Sequence, residues 1–128
     1  MTADRIVLTI PRDDGFEEVA QLVLGGVAAR LDLTYEMLDD LGTAFASLLE
    51  PRGEEGDLTV ELLLGGDLMT ATIGPFHSKK LRAELEQHDG GVDLRRVLET
   101  VVDSFEAVER DGADWVELQK RLERAPTA

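Results

Sequence analysis

One helical segment constrains the fold more than any other part of the chain. Between Thr34 and Pro51, apolar side chains recur every three or four residues. The stripe consists of Met37, Leu38, Leu41, Ala44, Phe45, Leu48 and Leu49. This spacing predicts an amphipathic helix that buries one face. Thr34 is suited to cap the first turn, and Pro51 cannot continue the hydrogen-bond ladder, so the helix ends before it.

Strand-like runs and helical patterns alternate around this segment. Short β-branched or apolar runs predict strands at residues 5–10, 58–64, 68–73, 104–109 and 113–119, and Gly74-Pro75 is expected to stop the third. Three more helices are predicted, one after a cap at Asp14, one from Ser78 and one over residues 92–102. The order is therefore β-α-α-β-β-α-α-β-β. It predicts an α+β two-layer sandwich, with a mixed, largely antiparallel sheet and helices on one face.

Two adjacent glycines, Gly25 and Gly26, interrupt the first helical pattern. Each one costs about 1 kcal/mol in a helix relative to alanine. We expect close packing against a neighbouring element to explain them, rather than a ligand.

Length, charge and cysteine content limit the possible functions. The 128 residues suit a single domain over 1–128, with residues 124–128 expected to be a frayed tail. The net charge of -14 argues against binding nucleic acid, because phosphate would be repelled. The absence of cysteine excludes disulfides and thiolate metal sites. With no leader-like or membrane-spanning apolar run, we expect a cytoplasmic protein.

A short basic cluster stands out in this acidic chain. It consists of His77, Lys79, Lys80 and Arg82. One interpretation is a patch for an anion or an acidic partner at a helix start. The simpler one is a solvated patch that offsets nearby glutamates. His77 and His88 have no metal-ligand spacing, so no metal site is predicted.

Three segments together resemble the histidine-kinase-like (GHKL) ATPase domain of anti-sigma-factor serine kinases. They are residues 22–33, the turn of residues 40–44, and residues 90–98 followed by a hairpin. The order of elements is also that of the family. The resemblance implies a Bergerat-type fold, homodimers, and partners that are sigma factors or STAS-domain antagonists. Family members transfer phosphate from ATP to a serine of the antagonist, with Mg²⁺ neutralising charge.

The resemblance also indicates that the catalytic and metal positions have changed. The family's catalytic Glu falls on Ser47, and its Mg²⁺-binding Asn falls on Pro51. Serine cannot replace a carboxylate base, and proline offers no side-chain oxygen to Mg²⁺. No catalytic residue and no metal ligand is therefore predicted.

The glycine-rich positions of the family are only partly kept. Where the adenine-binding Asp is expected, the chain has Thr72 and Ile73, followed by Gly74. In the phosphate-binding segment Gly90 and Gly91 remain, but Asp93 stands at the second glycine position. A carboxylate there would repel phosphate, so Gly74, Gly90 and Gly91 are at most vestigial cofactor-binding positions, and no cofactor is expected.

These departures favour a non-catalytic anti-sigma-like regulator of a bacterial partner-switching system. The main alternative is an active serine/threonine protein kinase in which the motif register is shifted. ATP and Mg²⁺ would then bind, and Glu50 or Asp39 would supply the carboxylate. A second alternative is a fold reused as a small-molecule-binding or structural module, because a fold alone does not define a function.

Overall fold

The computed structural model describes residues 4–12, 16–50, 54–86 and 94–123. The elements in these ranges are β1 (Asp4–Pro11), α1 (Phe16–Arg30), α2 (Tyr35–Leu48), β2 (Asp57–Gly65), β3 (Leu68–Phe76), α3 (Lys80–Glu86), α4 (Leu94–Val101), β4 (Ser104–Arg110) and β5 (Ala113–Arg121). This is the predicted order. In the described part of the chain, no helix is both long and apolar enough to cross a membrane.

The sheet has the strand order β1-β2-β3-β5-β4. Every pairing between these strands is antiparallel, so the expectation of a mixed sheet was wrong. The reason lies in the position of β5. Because β5 is antiparallel to both β3 and β4, those two strands run in the same direction, but β5 separates them. In the described sheet, no two neighbouring strands therefore run in the same direction.

One face of the sheet forms the core with the helices. The register aligns Leu8, Val60, Ile73, Val116 and Ala107 across all five strands. Residues of this row belong to the same apolar cluster as the buried faces of the helices. In the helical layer α2 contacts α1 and α4, and α3 contacts α4. The predicted two-layer α+β sandwich is confirmed.

Helix α2 occupies the centre of this layer. The Thr34 side chain accepts a hydrogen bond of 3.2 Å from the Met37 backbone N–H, which confirms the predicted cap. The buried stripe is also confirmed: Met37, Leu41, Ala44, Phe45 and Leu48 are at most 2% exposed. The helix ends at Leu48, and the Leu49 N–H donates to the Phe45 carbonyl at 2.9 Å. Pro51 itself lies outside the described residues.

Most element boundaries lie within two residues of the prediction, and two of the differences have a structural reason. Strand β3 continues through Pro75 to Phe76, with a register shift after Ile73, because the irregularity lets the chain pass the proline and pair again with β5. Helix α3 begins at Lys80, and Ser78 accepts a 3.4 Å hydrogen bond from its N–H. The predicted cap at Asp14, the start of the fourth helix and the 124–128 tail lie outside the described residues.

The expected packing around the two glycines of α1 is absent from the described structure. A Cβ atom added at Gly25 or Gly26 would meet nothing within 4 Å. Gly26 is exposed and Gly25 is half-buried. Close packing within the chain therefore does not explain the glycines, and that expectation was wrong.

Candidate functional site

The end of α2 meets the ends of β1 and β3 at a small cavity. Its volume is about 20 Å³. It is lined by Arg12, Leu48, Leu49, Glu50, Glu54, Leu58 and Phe76. A cavity of this size holds about one water molecule. Sites for small molecules and cofactors usually have volumes of roughly 300–1,000 Å³.

The Arg12 side chain closes one side of this cavity. Its guanidinium lies 5.4 Å from the centre of the Phe76 ring, within the range of a cation–π contact. It donates to the backbone carbonyls of Glu55 at 3.0 Å and Asp57 at 3.3 Å, and also to the carbonyl of Pro75. Burial lowers the pKa of Arg12, and the nearby charge of Glu54 opposes that shift. These contacts tie the start of β2 to the end of β3.

Glu54, which also lines the cavity, binds the loop between β3 and α3. Its carboxylate accepts a 2.8 Å hydrogen bond from the Ser78 backbone N–H. Burial acts to raise the pKa of Glu54. The hydrogen bonds from Ser78 and the His77 backbone, together with the charge of Arg12, outweigh that effect and lower the pKa. Glu54 is therefore held as a carboxylate and orders the chain between β3 and α3.

The predicted family positions lie beside the cavity rather than converging in it. Ser47 is half-buried on the last turn of α2, and the cavity walls are formed by other side chains. Ile73 has 0% exposure and faces the helical layer. Thr72 pairs with Glu61 and Glu117 and faces the opposite side of the sheet, where it is 4% exposed. Only the position of Ile73 therefore faces the helices, and it offers no polar atom.

Gly74 packs against the single tryptophan of the chain. A Cβ atom added there would lie 2.6 Å from Cδ2 of Trp115, far inside van der Waals contact. The peptide bond between Gly74 and Pro75 is cis. The close approach of the Trp115 ring requires glycine at this position on packing grounds alone.

The basic cluster surrounds a buried carboxylate. Asp114, on β5, is 1% exposed, and its Oδ1 accepts a 2.8 Å hydrogen bond from Arg82. Its Oδ2 lies 3.5 Å from the Lys79 ammonium. The hydrogen bond from Arg82 lowers the pKa of Asp114 against the opposing effect of burial, and the charges of both cations add to the lowering. His77 and Lys80 are exposed. Two of the four basic residues thus pair with Asp114, although the Lys79 side chain itself is 69% exposed.

Sequence reasoning did not identify Arg12, Glu54 or Asp114. For Asp114 a signal existed, because it alternates with Val116 and therefore faces the core side of β5. A buried carboxylate needs a cation, but the two that supply it, Lys79 and Arg82, are 35 and 32 residues away in the sequence. Nothing in the local sequence around Arg12 or Glu54 indicates their contacts.

Potential metal ligands do not cluster among the described residues. Across residues 4–12, 16–50, 54–86 and 94–123, no three His, Cys, Asp or Glu side chains converge to hold a metal ion. The family's metal position, Pro51, and the predicted phosphate-segment residues Gly90, Gly91 and Asp93 lie outside these ranges, as does His88. The site as described can order backbone and exclude solvent.

The described fold is an antiparallel five-stranded sheet covered on one face by helices, with the end of α2 beside the end of β3. The chain is 25% identical over 133 residues to the serine-protein kinase RsbW of Listeria monocytogenes, spanning 88% of this chain and 85% of that protein. The crystal structure of the RsbU and RsbW domains of Rv1364c from Mycobacterium tuberculosis matches with a TM-score of 0.69 at 16% identity. That match covers 97% of this chain and 35% of the other. No family model matches the chain. The comparisons support the resemblance and the fold.

Proposed function

We propose that this domain is a non-catalytic anti-sigma-like regulator that works by binding proteins in a partner-switching system. The observation that carries the proposal is the cavity of about 20 Å³ at the end of α2, closed by Arg12 and Phe76. This is the place where the resemblance puts the nucleotide. The changed positions Ser47 and Ile73 support the same conclusion, since neither supplies a carboxylate.

Opening the cavity for a nucleobase would require several contacts to break together. Arg12 would have to leave its backbone carbonyls and the Phe76 ring, while the hydrogen bond from Ser78 to Glu54 holds the adjoining loop. A hydrogen bond from a charged donor contributes about 1.5–3 kcal/mol. Nucleotide binding would have to offset that loss before any net affinity appeared. We therefore expect neither ATP nor Mg²⁺ to be a resident cofactor.

The proposed partners follow from the resemblance and from the surface charge. The relative from Listeria is a serine-protein kinase of the RsbW type. We propose a sigma factor or a STAS-domain antagonist as the partner, a homodimer as the working form and the bacterial cytoplasm as the location. The net charge of -14 is consistent with protein partners rather than nucleic acid.

Isothermal titration calorimetry with Mg-ATP and Mg-ADP tests the central point. We expect no binding heat for the wild-type protein at nucleotide concentrations up to about 1 mM. The variant Arg12→Ala, which removes one wall of the cavity, is the matched comparison. Binding by the wild-type protein with a micromolar Kd would overturn the proposal. Binding by Arg12→Ala alone would show that Arg12 blocks a competent pocket.

Purification of the tagged full chain from its native cell, with mass spectrometry of what accompanies it, tests the partner class. Stoichiometric recovery of a sigma factor or a STAS-domain protein is the expected result. Recovery of neither, while a reconstituted control pair from a related system survives the same procedure, would contradict the regulatory role.

One observation favours the kinase alternative. Glu50 lines the cavity, so a carboxylate is present at the end of α2. Asp39 is exposed on the first half of the same helix, more than two turns away. Incubation with radiolabelled ATP and candidate antagonists decides the matter. Label on a partner serine that disappears with Glu50→Gln would establish the kinase and refute our proposal.

A further inference from the structure

A groove of about 420 Å³ runs between the helical layer and the outer edge of β4. On the helical side it is lined by side chains of α3 and α4, namely Arg82, Leu85, Glu86, Arg95 and Glu99. On the sheet side it is lined by four successive residues, Ser104, Phe105, Glu106 and Ala107. Successive side chains of a strand point to opposite faces, so one face could supply only alternate residues. The groove therefore runs along the edge of β4 itself, and we call it the β4 groove.

The outer edge of β4 carries unpaired backbone groups. In the described sheet β4 is the last strand of the order and pairs with β5 alone. The turn between these strands consists of Asp111 and Gly112, which both have positive φ. Such a turn is flanked by a hydrogen-bonded pair, here Arg110 and Ala113, and bonded and non-bonded pairs then alternate along the hairpin. The N–H and C=O groups that point away from β5 are therefore those of Phe105, Ala107 and Glu109.

β4 lacks most of the features that protect an edge strand from further pairing. Short strands, prolines, bulges and charged side chains are the usual protection. β4 is seven residues long, contains no proline and keeps its register with β5 from Ser104 to Arg110. Among the described residues, no backbone hydrogen bond joins its outer edge to another element. Of the usual protections, only charged side chains are present here.

The two arginines of the β4 groove are already paired. Arg82 donates to the Asp114 carboxylate at 2.8 Å. Arg95 donates to the Glu99 carboxylate at 2.8 Å and to the Leu85 carbonyl at 2.9 Å. Among the residues that line the groove, no cation is therefore left to attract an acidic partner.

Glutamates at the same edge lack such partners. Ala107 faces the helices, so Glu106 beside it lies on the opposite face of the sheet, directly across from Glu117 of β5. Like charges in this position repel. Among the described residues neither glutamate forms an ion pair. A basic side chain placed beside Glu106 would relieve this repulsion.

From the free edge, the groove and these charges we infer that the β4 groove binds an extended segment of a partner protein in which apolar residues alternate with lysine or arginine. The segment pairs with β4 as a sixth strand through the outward groups of Phe105 and Ala107. Side chains on one face of it enter the groove over Leu85 and Phe105, which are apolar. Those on its other face reach Glu106 and Glu117, which require basic residues. The alternation follows from the two faces of a strand.

The same charges disfavour a second copy of the chain as the occupant, because its own β4 would bring further glutamates to this edge. The inference rests on the proposed function only in requiring a protein partner. It adds the surface of the domain and the chemistry of the segment that it binds.

A labelled peptide Lys-Val-Lys-Val-Lys-Val-Lys, titrated with the full chain and followed by fluorescence anisotropy, tests the inference. We expect saturable binding below about 1 mM in about 0.15 M salt, where attraction to the net charge is screened beyond about 8 Å. The control peptide Lys-Lys-Val-Val-Val-Lys-Lys has the same composition without the alternation. It should bind at least tenfold more weakly.

Three variants locate the binding surface. Ala107→Pro removes an outward N–H without removing a bond to β5, and Glu106→Lys reverses the edge charge. Each should weaken binding of the alternating peptide tenfold or more. Glu18→Lys is the matched control, because it makes the same change in net charge on α1, which packs at the β1 edge of the fold. It should leave binding unchanged, and circular dichroism checks the folding of each variant.

Amide hydrogen exchange measured by NMR gives a readout on the wild-type chain alone. Saturating peptide should slow exchange of the N–H groups of Phe105 and Ala107 at least tenfold. The N–H groups of Glu106 and Val108 already bond to β5 and should change much less. Slowing at alternate residues of one strand distinguishes strand pairing from adsorption to an acidic surface.

Four results would overturn the inference. They are no saturable binding, equal binding of the two peptides, binding unaffected by both Ala107→Pro and Glu106→Lys, and self-association of the wild-type chain that Ala107→Pro abolishes. The last would make a second copy the occupant. These outcomes are separable from the proposed function. Micromolar binding of Mg-ATP refutes the non-catalytic role and leaves the peptide result intact, whereas recovery of a sigma factor without peptide binding refutes only the β4 groove.

Discussion

Replacing Gly74 by alanine tests whether packing against Trp115 fixes glycine at that position. The added Cβ would lie 2.6, 2.8 and 2.9 Å from Cδ2, Cγ and Cε3 of the indole ring. Carbon atoms in contact are normally about 3.5–4.0 Å apart. The ring or the strand must therefore move by about 1 Å. The Arg110 guanidinium, 5.3 Å from the ring centre on Trp115, restricts that movement.

The expected cost follows from two opposing effects. Overpacking of this kind costs about 1–3 kcal/mol. Alanine also restricts the unfolded chain, which stabilises the folded state by about 0.4–1 kcal/mol. The net loss in the free energy of unfolding is therefore about 1–2 kcal/mol. For a chain of 128 residues this lowers Tm by about 4–8 °C.

Urea denaturation followed by tryptophan fluorescence measures this directly, since Trp115 is the single tryptophan. Gly25→Ala is the matched control, because its Cβ enters open space and should stabilise the helix by up to about 1 kcal/mol. Gly74→Ala in a Trp115→Ala background should lose its penalty; this pair is followed by circular dichroism, because no tryptophan remains. A penalty that persists without the indole ring, or a Gly74→Ala variant as stable as the wild type, would refute the packing explanation.

Three further predictions concern the same framework. Thr34→Ala should cost about 1 kcal/mol through loss of the α2 cap, and Thr34→Ser should recover most of it in thermal melts. Lys120→Met should lower the free energy of unfolding by about 1–2 kcal/mol, because the Lys120 ammonium donates a 2.7 Å hydrogen bond to the Val101 carbonyl at the end of α4. The Lys120 side chain is only 14% exposed. An unchanged urea midpoint would contradict this prediction. The pKa of Asp114 is lowered in the folded state by Arg82, so its contribution to stability is present above its unfolded pKa of about 3.9 and is lost as the pH falls through the folded value. Asp114→Asn should therefore show a flatter dependence of unfolding free energy on pH below about pH 4, and an unchanged slope would argue against the pair.

Local patterns predicted the elements because their information is local. The stripe and cap of α2 are written in consecutive residues, and the structure confirms both. The strand order is different in kind, because the pairing of β3 with β5 joins segments that are far apart in sequence. The hairpin signals predicted that β2 pairs with β3 and that β4 pairs with β5, but they did not predict that β5 lies between β3 and β4.

Only the residues of the site that correspond to family motif positions could be predicted from the sequence. Ser47 and Gly74 could be placed from the resemblance, but their surroundings could not. The contacts of Arg12 join the end of β1 to the start of β2 and the end of β3, and no spacing rule describes such a meeting. The two glycines of α1 were expected to pack closely against a neighbouring element, but a Cβ added at either one would meet nothing within 4 Å.

The position of β5 has a consequence for folding. A fragment that ends before residue 113 retains β1, β2 and β3 as one unit but leaves β4 without its only neighbour in the described sheet. The edge of β3 that pairs with β5, including the backbone of Ile73, would then be open to water. In the described sheet, β4 is thus joined to β1, β2 and β3 only through β5, the last strand in the sequence. We expect the domain to unfold as a single cooperative unit, with no stable N-terminal half.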